Sequence, residues 1–255
     1  MNNLEVDIKK SIETKKYIDS NLRRISSNSE ELLNNAKMAL KGILLDSNNN
    51  LLKGTPPNLV RGVCCELMLR YCLEDYFTKN NLNFAIFDNV MLWNNYINST
   101  TQIDSIIISN SCIVVIEAKS IYGVSQIIDG RIDTLHGNNG QIYTRSIEPW
   151  KQNMSHILTL KEELSNLNSI LGDIFYENVV FVYGIGKIER YHPKDNQHLI
   201  TIKSYKDTLD EIFLKRRYTQ IDNDTLKRTF NYIKSKSHSI WDEINHINQL
   251  NKIKN

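Results

Sequence analysis

What this 255-residue chain has little of narrows the field first. It holds only four cysteines, Cys64, Cys65, Cys72 and Cys112. Three crowd into one apolar, helix-like stretch and the fourth falls in a strand-like run. Neither a disulfide framework nor a CxxC metal site is indicated, and a reduced, intracellular compartment is expected. Charge of one sign is also missing. Lys+Arg 31 against Asp+Glu 29 leaves a net charge of +2, so no global basic field announces a nucleic-acid partner. Any such surface must be local. No apolar run approaches the ~20 residues that would cross a membrane. The opening MNNLEVDIKKSIETKK lacks the basic-then-apolar order of a secretory signal. The expectation is a soluble, cytoplasmic protein with no membrane partner. The six histidines form no HExxH and no cysteine pair accompanies them, which argues against structural zinc. No GxSxG nucleophile elbow is present. Tyr183-Gly184-Ile185-Gly186-Lys187 lacks the spacer and the Ser/Thr of a phosphate loop and reads as a strand-ending turn.

A hydrophobic fraction of 41% and a charged fraction of 24% suit a globular chain. The length allows one sizeable core with helical additions, or two small domains. Leu4, Ile8 and Ile12, then Ile18, Leu22 and Ile25, make a helical stripe, and a second helix carries Leu32, Leu33, Ala36 and Leu40. The turn-rich Asp46–Asn58 segment links this arm to the main domain. An apolar helix is expected from Leu59 to about Phe77, with Gly62, Glu66, Arg70 and Glu74 as one polar stripe. Strands come next at about 84–93, 102–109 and 112–119, rich in β-branched residues. Short strands and turns are expected over 120–147, a helix from Pro149, a buried strand at Asn178–Tyr183 and helices from about Tyr205. Basic groups such as Lys215-Arg216-Arg217 and Lys227-Arg228 read as solvated helix faces, one or two of which could line a phosphate-binding surface.

The chemistry concentrates in a hairpin. If Asn110-Ser111 is a two-residue turn, Ser109 opposes Cys112, Asp104 opposes Glu117 and Gln102 opposes Lys119. Period-two alternation then puts Gln102, Asp104, Glu117 and Lys119 on one face. Adjacent carboxylates in an apolar sheet are unfavourable without a cation. A bound divalent metal, a raised pKa on one acid, or neutralisation by Lys119 would each relieve the conflict. Two carboxylates and a backbone carbonyl form a hard oxygen site suited to Mg²⁺, and a lysine beside it can position the attacking water. An ordinary charge cluster at a sheet end is the bland alternative.

Gln102-Ile103-Asp104, then Val115-Ile116-Glu117-Ala118-Lys119 and Tyr122-Gly123, resemble the NERD (nuclease-related) domain, a branch of the PD-(D/E)xK superfamily. The resemblance covers roughly residues 59–185. It reaches back to Glu66 and forward to Glu148-Pro149-Trp150-Lys151-Gln152-Asn153, which is similar to the family's Asn-Pro-x-x-Gln element, with His156 a turn further on. Cys65 stands where the family commonly has glycine, and Glu148 where it has asparagine.

The resemblance implies a three-layer α/β/α, restriction-endonuclease-like core with a mixed central sheet at 59–204. An N-terminal helical arm and linker (1–58) and a C-terminal helical extension (205–255) flank it. Asp104 and Glu117 would ligate Mg²⁺ or Mn²⁺ with the Ala118 carbonyl, and Lys119 would orient water. Glu66 would complete the metal shell or pair with Arg70. Gln152 and His156 would contact the substrate backbone or the lysine, with capping or packing as the alternative for His156. The implied activity is a metal-dependent nuclease acting on nucleic acid, DNA favoured over RNA. A non-catalytic nucleic-acid- or partner-binding module on the same fold is the competing reading. The terminal helices would serve a homo-oligomer or protein partner, or simply pack on the core.

Overall fold

The computed structural model describes residues 57–80, 84–95, 99–109, 111–121, 123–138, 141–167, 174–184, 187–192, 197–215 and 221–236. The helices expected at 4–45, most of the 46–58 linker and the segment beyond 236 lie outside the described residues. The chain is mixed α/β. It divides into two compact units, one comprising residues up to Asn81 together with Ala118–Ser120, the other the remainder.

In the first unit, helix α1 (Pro57–Asn80) buries Cys65, Met68, Leu69, Cys72, Leu73, Tyr76 and Phe77. These recur at the three- and four-residue steps that make one helix face. The opposite stripe is polar, as its spacing demands. Arg70 Nε meets Glu74 at 2.6 Å and Lys79 meets Asp75 at 2.6 Å, both i,i+4 pairs. Cys65 and Cys72, like Cys112 elsewhere, are buried thiols in no disulfide.

The second unit is organised by sheets. Strands β1 (Phe84–Asn94), β2 (Ser99–Ser109), β3 (Ile113–Ser120), β7 (Tyr176–Tyr183) and β9 (Gln197–Ile200) form a five-stranded sheet in the order β1-β2-β3-β7-β9. The sheet is mixed. β1–β2 and β2–β3 are antiparallel, whereas β7–β9 is parallel. Ile113 N bonds Phe175 O at one end of β3 and Ile121 N bonds Tyr183 O at the other, the constant offset of parallel pairing. Helix α2 (Pro149–Leu167) and helix α4 (Asn223–Lys236) cover one face of this sheet. Their Ile157, Leu160, Leu164 and Ile233 join Val90, Ile103, Ile106 and Val115 in a single core. Part of the C-terminal region therefore packs into the core rather than standing off it.

A second sheet, in the order β6-β5-β4-β8, contains β4 (Val124–Ile128), β5 (Arg131–Asn138), β6 (Gln141–Ile147) and β8 (Lys187–His192). Asp129 and Gly130, with φ of 52° and 79°, make the tight turn between β4 and β5. Ile127 and Ile132 of this sheet pack on Trp150 and Val180. At the end of β7, Gly184 adopts φ 153°, and a Cβ there would run into the carbonyl oxygen of Ile121. The glycine ends a strand against a neighbouring backbone, as its sequence context suggested. Between β9 and α4 lie a short helix α3 (Tyr205–Asp210) and one π-helical turn, Glu211–Lys215. No described helix is long and apolar enough to cross a membrane.

Candidate active site

The hairpin register is set by its turn. Ser109 N bonds Cys112 O at 3.1 Å, and Ser109 Oγ accepts from the amides of Ser111 and Cys112. The β2–β3 ladder then runs from Ile108–Ile113 to Ser105–Ile116. Asp104 and Glu117 are the next residues along the two strands. Strand β3 is buried from Ile113 through Glu117 and becomes half-buried at Ala118, Lys119 and Ser120. Lys119 comes two positions after Glu117 on that strand, so the pleat assigns them one face. Asp104 is half-buried.

Regular alternation fails on the other side of Asp104. β1 and β2 pair continuously except at Asn89 and Asp104, where the ladder opens. Asn89 has a left-handed backbone with φ 52°. Phe87 and Val90 on β1, and Ile103 and Ile106 on β2, all enter the core beneath α2. Residues three apart share a face only when the pleat slips by one step between them. This slip corrects the expectation for Gln102. Its neighbours Thr101 and Ile103 turn toward α2, so Gln102 turns away, and its Nε2 donates to Asn89 Oδ1 at 2.9 Å. Thr101, and not Gln102, meets α2, where its hydroxyl reaches His156. Beside the slip, Ser105 Oγ donates to Asp88 Oδ1 at 3.0 Å.

Helix α2 closes the buried side of this corner. Proline at its first position needs no amide partner and its fixed φ suits helix entry. Asn153 is fully buried, and its Nδ2 reaches Val115 O at 2.8 Å, Asn178 Oδ1 at 2.8 Å and Val179 O at 3.1 Å. One amide thereby ties the helix to β3 and β7. One turn on, His156 Nε2 lies 3.2 Å from Glu117 Oε2, the two side chains being 6% and 2% exposed. This is ion-pair distance, but off the line of a directed hydrogen bond. His156 Nδ1 meets Thr101 Oγ1 at 2.8 Å. A carboxylate only accepts, so Nε2 is the nitrogen that carries hydrogen toward it. In the neutral ring Nδ1 then accepts from the Thr101 hydroxyl. Thr101, His156 and Glu117 make one polar chain, half-buried at Thr101 and buried at the other two.

The remaining predicted site residues lie on the two helices and along β3. Glu66 is half-buried on the polar stripe of α1, in the compact unit that also contains Ala118 and Lys119. Gln152 is exposed on α2, one turn before His156. Asp104 and Glu117 are hard oxygen donors, with the Ala118 carbonyl next along the strand. Among the described residues no three of His, Cys, Asp and Glu gather into a metal cage. Two carboxylates and a carbonyl suit a cation that keeps much of its water, as Mg²⁺ does. Sequence reasoning missed Thr101 and Asn153. The i,i+3 spacing of Asn153 and His156 was the available signal for the second. Thr101 depends on the slip at Asn89, which hydrophobic periodicity does not reveal.

Residues 61–183 match the family model NERD, nuclease-related domain. The match begins in α1 and ends with β7, so it spans Glu66, the Asp104–Glu117 hairpin and the helix of Gln152 and His156. No match is found among curated proteins or among solved structures.

Proposed function

We propose, on the premise that residues 61–183 are a nuclease-related domain, that the chain is a divalent-metal-dependent hydrolase of nucleic-acid phosphodiester bonds. What supports this reading is the β2–β3 ladder, whose continuation by one step beyond Ser105–Ile116 would set Asp104 across from Glu117. Opposed like charges destabilise a sheet, and a cation shared between them reverses the sign.

In this reading Asp104 and Glu117, with the Ala118 carbonyl, would hold Mg²⁺ or Mn²⁺. Such a cation, when bound, would supply Lewis-acid polarisation of a phosphoryl oxygen and activation of water. The Lys119 ammonium orients the attacking water and offsets charge that develops on the phosphate during in-line displacement. Gln152, exposed on α2, is available to the sugar–phosphate backbone. DNA is preferred to RNA on fold-level analogy alone.

The test is cleavage of linear DNA by the full chain. Activity should require Mg²⁺ or Mn²⁺ and vanish in chelator. Folded Asp104→Ala, Glu117→Ala and Lys119→Ala variants should each lose roughly 10²–10³-fold or more. Cleavage unchanged in all three overturns the site. Salt-dependent DNA binding without cleavage or metal response would favour the non-catalytic module.

A further inference from the structure

Glu117 has a carboxylate almost fully withdrawn from water and an imidazole nitrogen at 3.2 Å. An ionised carboxylate so placed is costly unless polar partners compensate it, and breaking such a contact is costlier than never forming it. The imidazole is itself held from behind by Thr101 at 2.8 Å. Its helix is fixed to β3 through Asn153 and Val115 O, two residues before Glu117 on the same strand. These contacts hold the ring beside the carboxylate.

We propose that His156, backed by Thr101, is a positioning residue that orients the Glu117 carboxylate for a divalent cation. The proposal rests on the nuclease reading above and adds to it a role for a side chain outside the Asp-Glu-Lys set. Because Nε2 faces an acceptor, it presents hydrogen and not a lone pair, so His156 orients the acid and does not ligate the metal. A carboxylate has about four lone-pair directions, so it can face an imidazole and a cation together. Contacts of this kind are often misaligned before a ligand binds and tighten upon it, which suits the off-line 3.2 Å approach. Simple packing would be met more cheaply by leucine. An imidazole buried between a carboxylate and a hydroxyl earns its place only through its polar ends.

The experiment measures Mn²⁺ affinity of the full chain without substrate, by electron paramagnetic resonance, with circular dichroism to establish folding. His156→Ala should weaken Mn²⁺ binding about 10–100-fold. His156→Gln, whose amide can still donate toward Glu117, should recover part of the loss. Thr101→Val should weaken binding less. The double variant should bind no more weakly than His156→Ala, because Thr101 acts through the ring. Wild-type affinity in folded His156→Ala, or additive losses in the double variant, overturns the positioning role. If His156→Ala does not fold, unchanged affinity in both His156→Gln and Thr101→Val overturns it equally. Wild-type protein that binds no Mn²⁺ overturns the metal-dependent reading itself. Binding that is intact in wild type and indifferent to these substitutions overturns only this inference.

Discussion

Asn89 has a φ of 52°, a conformation that asparagine accepts more readily than β-branched or bulky residues, and it stands across from Asp104 where the β1–β2 ladder opens. The slip in the pleat is the reason Thr101, and not Gln102, meets His156. At this scale the hairpin was legible. β-branched runs fix both strands and a short turn fixes their pairing from Ile108–Ile113 to Ser105–Ile116. Thr101 was not legible, because its orientation depends on a single backbone angle in a neighbouring strand. A second carboxylate shows how local partners set protonation. Asp133 accepts from Ser146 Oγ at 2.6 Å and pairs with Arg131 at 3.0 Å, and these partners, Ser146 foremost, hold its carboxyl below the usual range. A lowered native pKa means that the stabilisation is present above the ordinary carboxylate value of about 3.9 and fades as pH falls through the native value. Ser146→Ala should raise the Asp133 pKa toward the ordinary value in an NMR titration. An unmoved midpoint would show that the hydroxyl is not the cause.

Among the elements, α2 carries the most consequence for its length. Pro149 marks its start in the sequence, and the apolar stripe through Ile157, Leu160 and Leu164 marks the face it buries. Neither signal reveals that Asn153 bridges two strands. That contact is a long-range match between one amide and the carbonyls of Val115 and Val179. Asn153→Ala leaves those buried acceptors with one partner fewer and should cost about 1–3 kcal/mol. In urea denaturation the midpoint should fall while the slope stays constant. An unchanged midpoint would mean that the helix is held by its apolar face alone. Strands β8 and β9 escaped sequence reading for a related reason. Both are short and mixed in polarity, and each pairs in parallel with a strand that does not adjoin it through a tight turn. Nothing local announces them.

For the whole molecule, the order of elements from α1 to β7 was readable from periodicity, whereas the division into a five-stranded and a four-stranded sheet was not. That division turns on β4 pairing with β8 across some sixty intervening residues, a choice made by tertiary packing on Trp150 and Val180. On the proposed function, the β2–β3 hairpin bears the two acids and the lysine, and Asn153 ties α2 to β3 beside one of those acids. The near-neutral chain, at +2, offers little long-range attraction to a polyanion, so on the proposed function binding strength would come from local contacts and from a bound cation. The central claim is most directly tested by nicking and linearisation of a supercoiled plasmid in Mg²⁺ by the wild-type chain beside folded Lys119→Ala. Metal-dependent conversion by the wild type, falling by roughly 10²-fold or more in the variant, is the predicted result. Intact plasmid with wild-type protein in both Mg²⁺ and Mn²⁺, or equal cleavage by the two proteins, would contradict it.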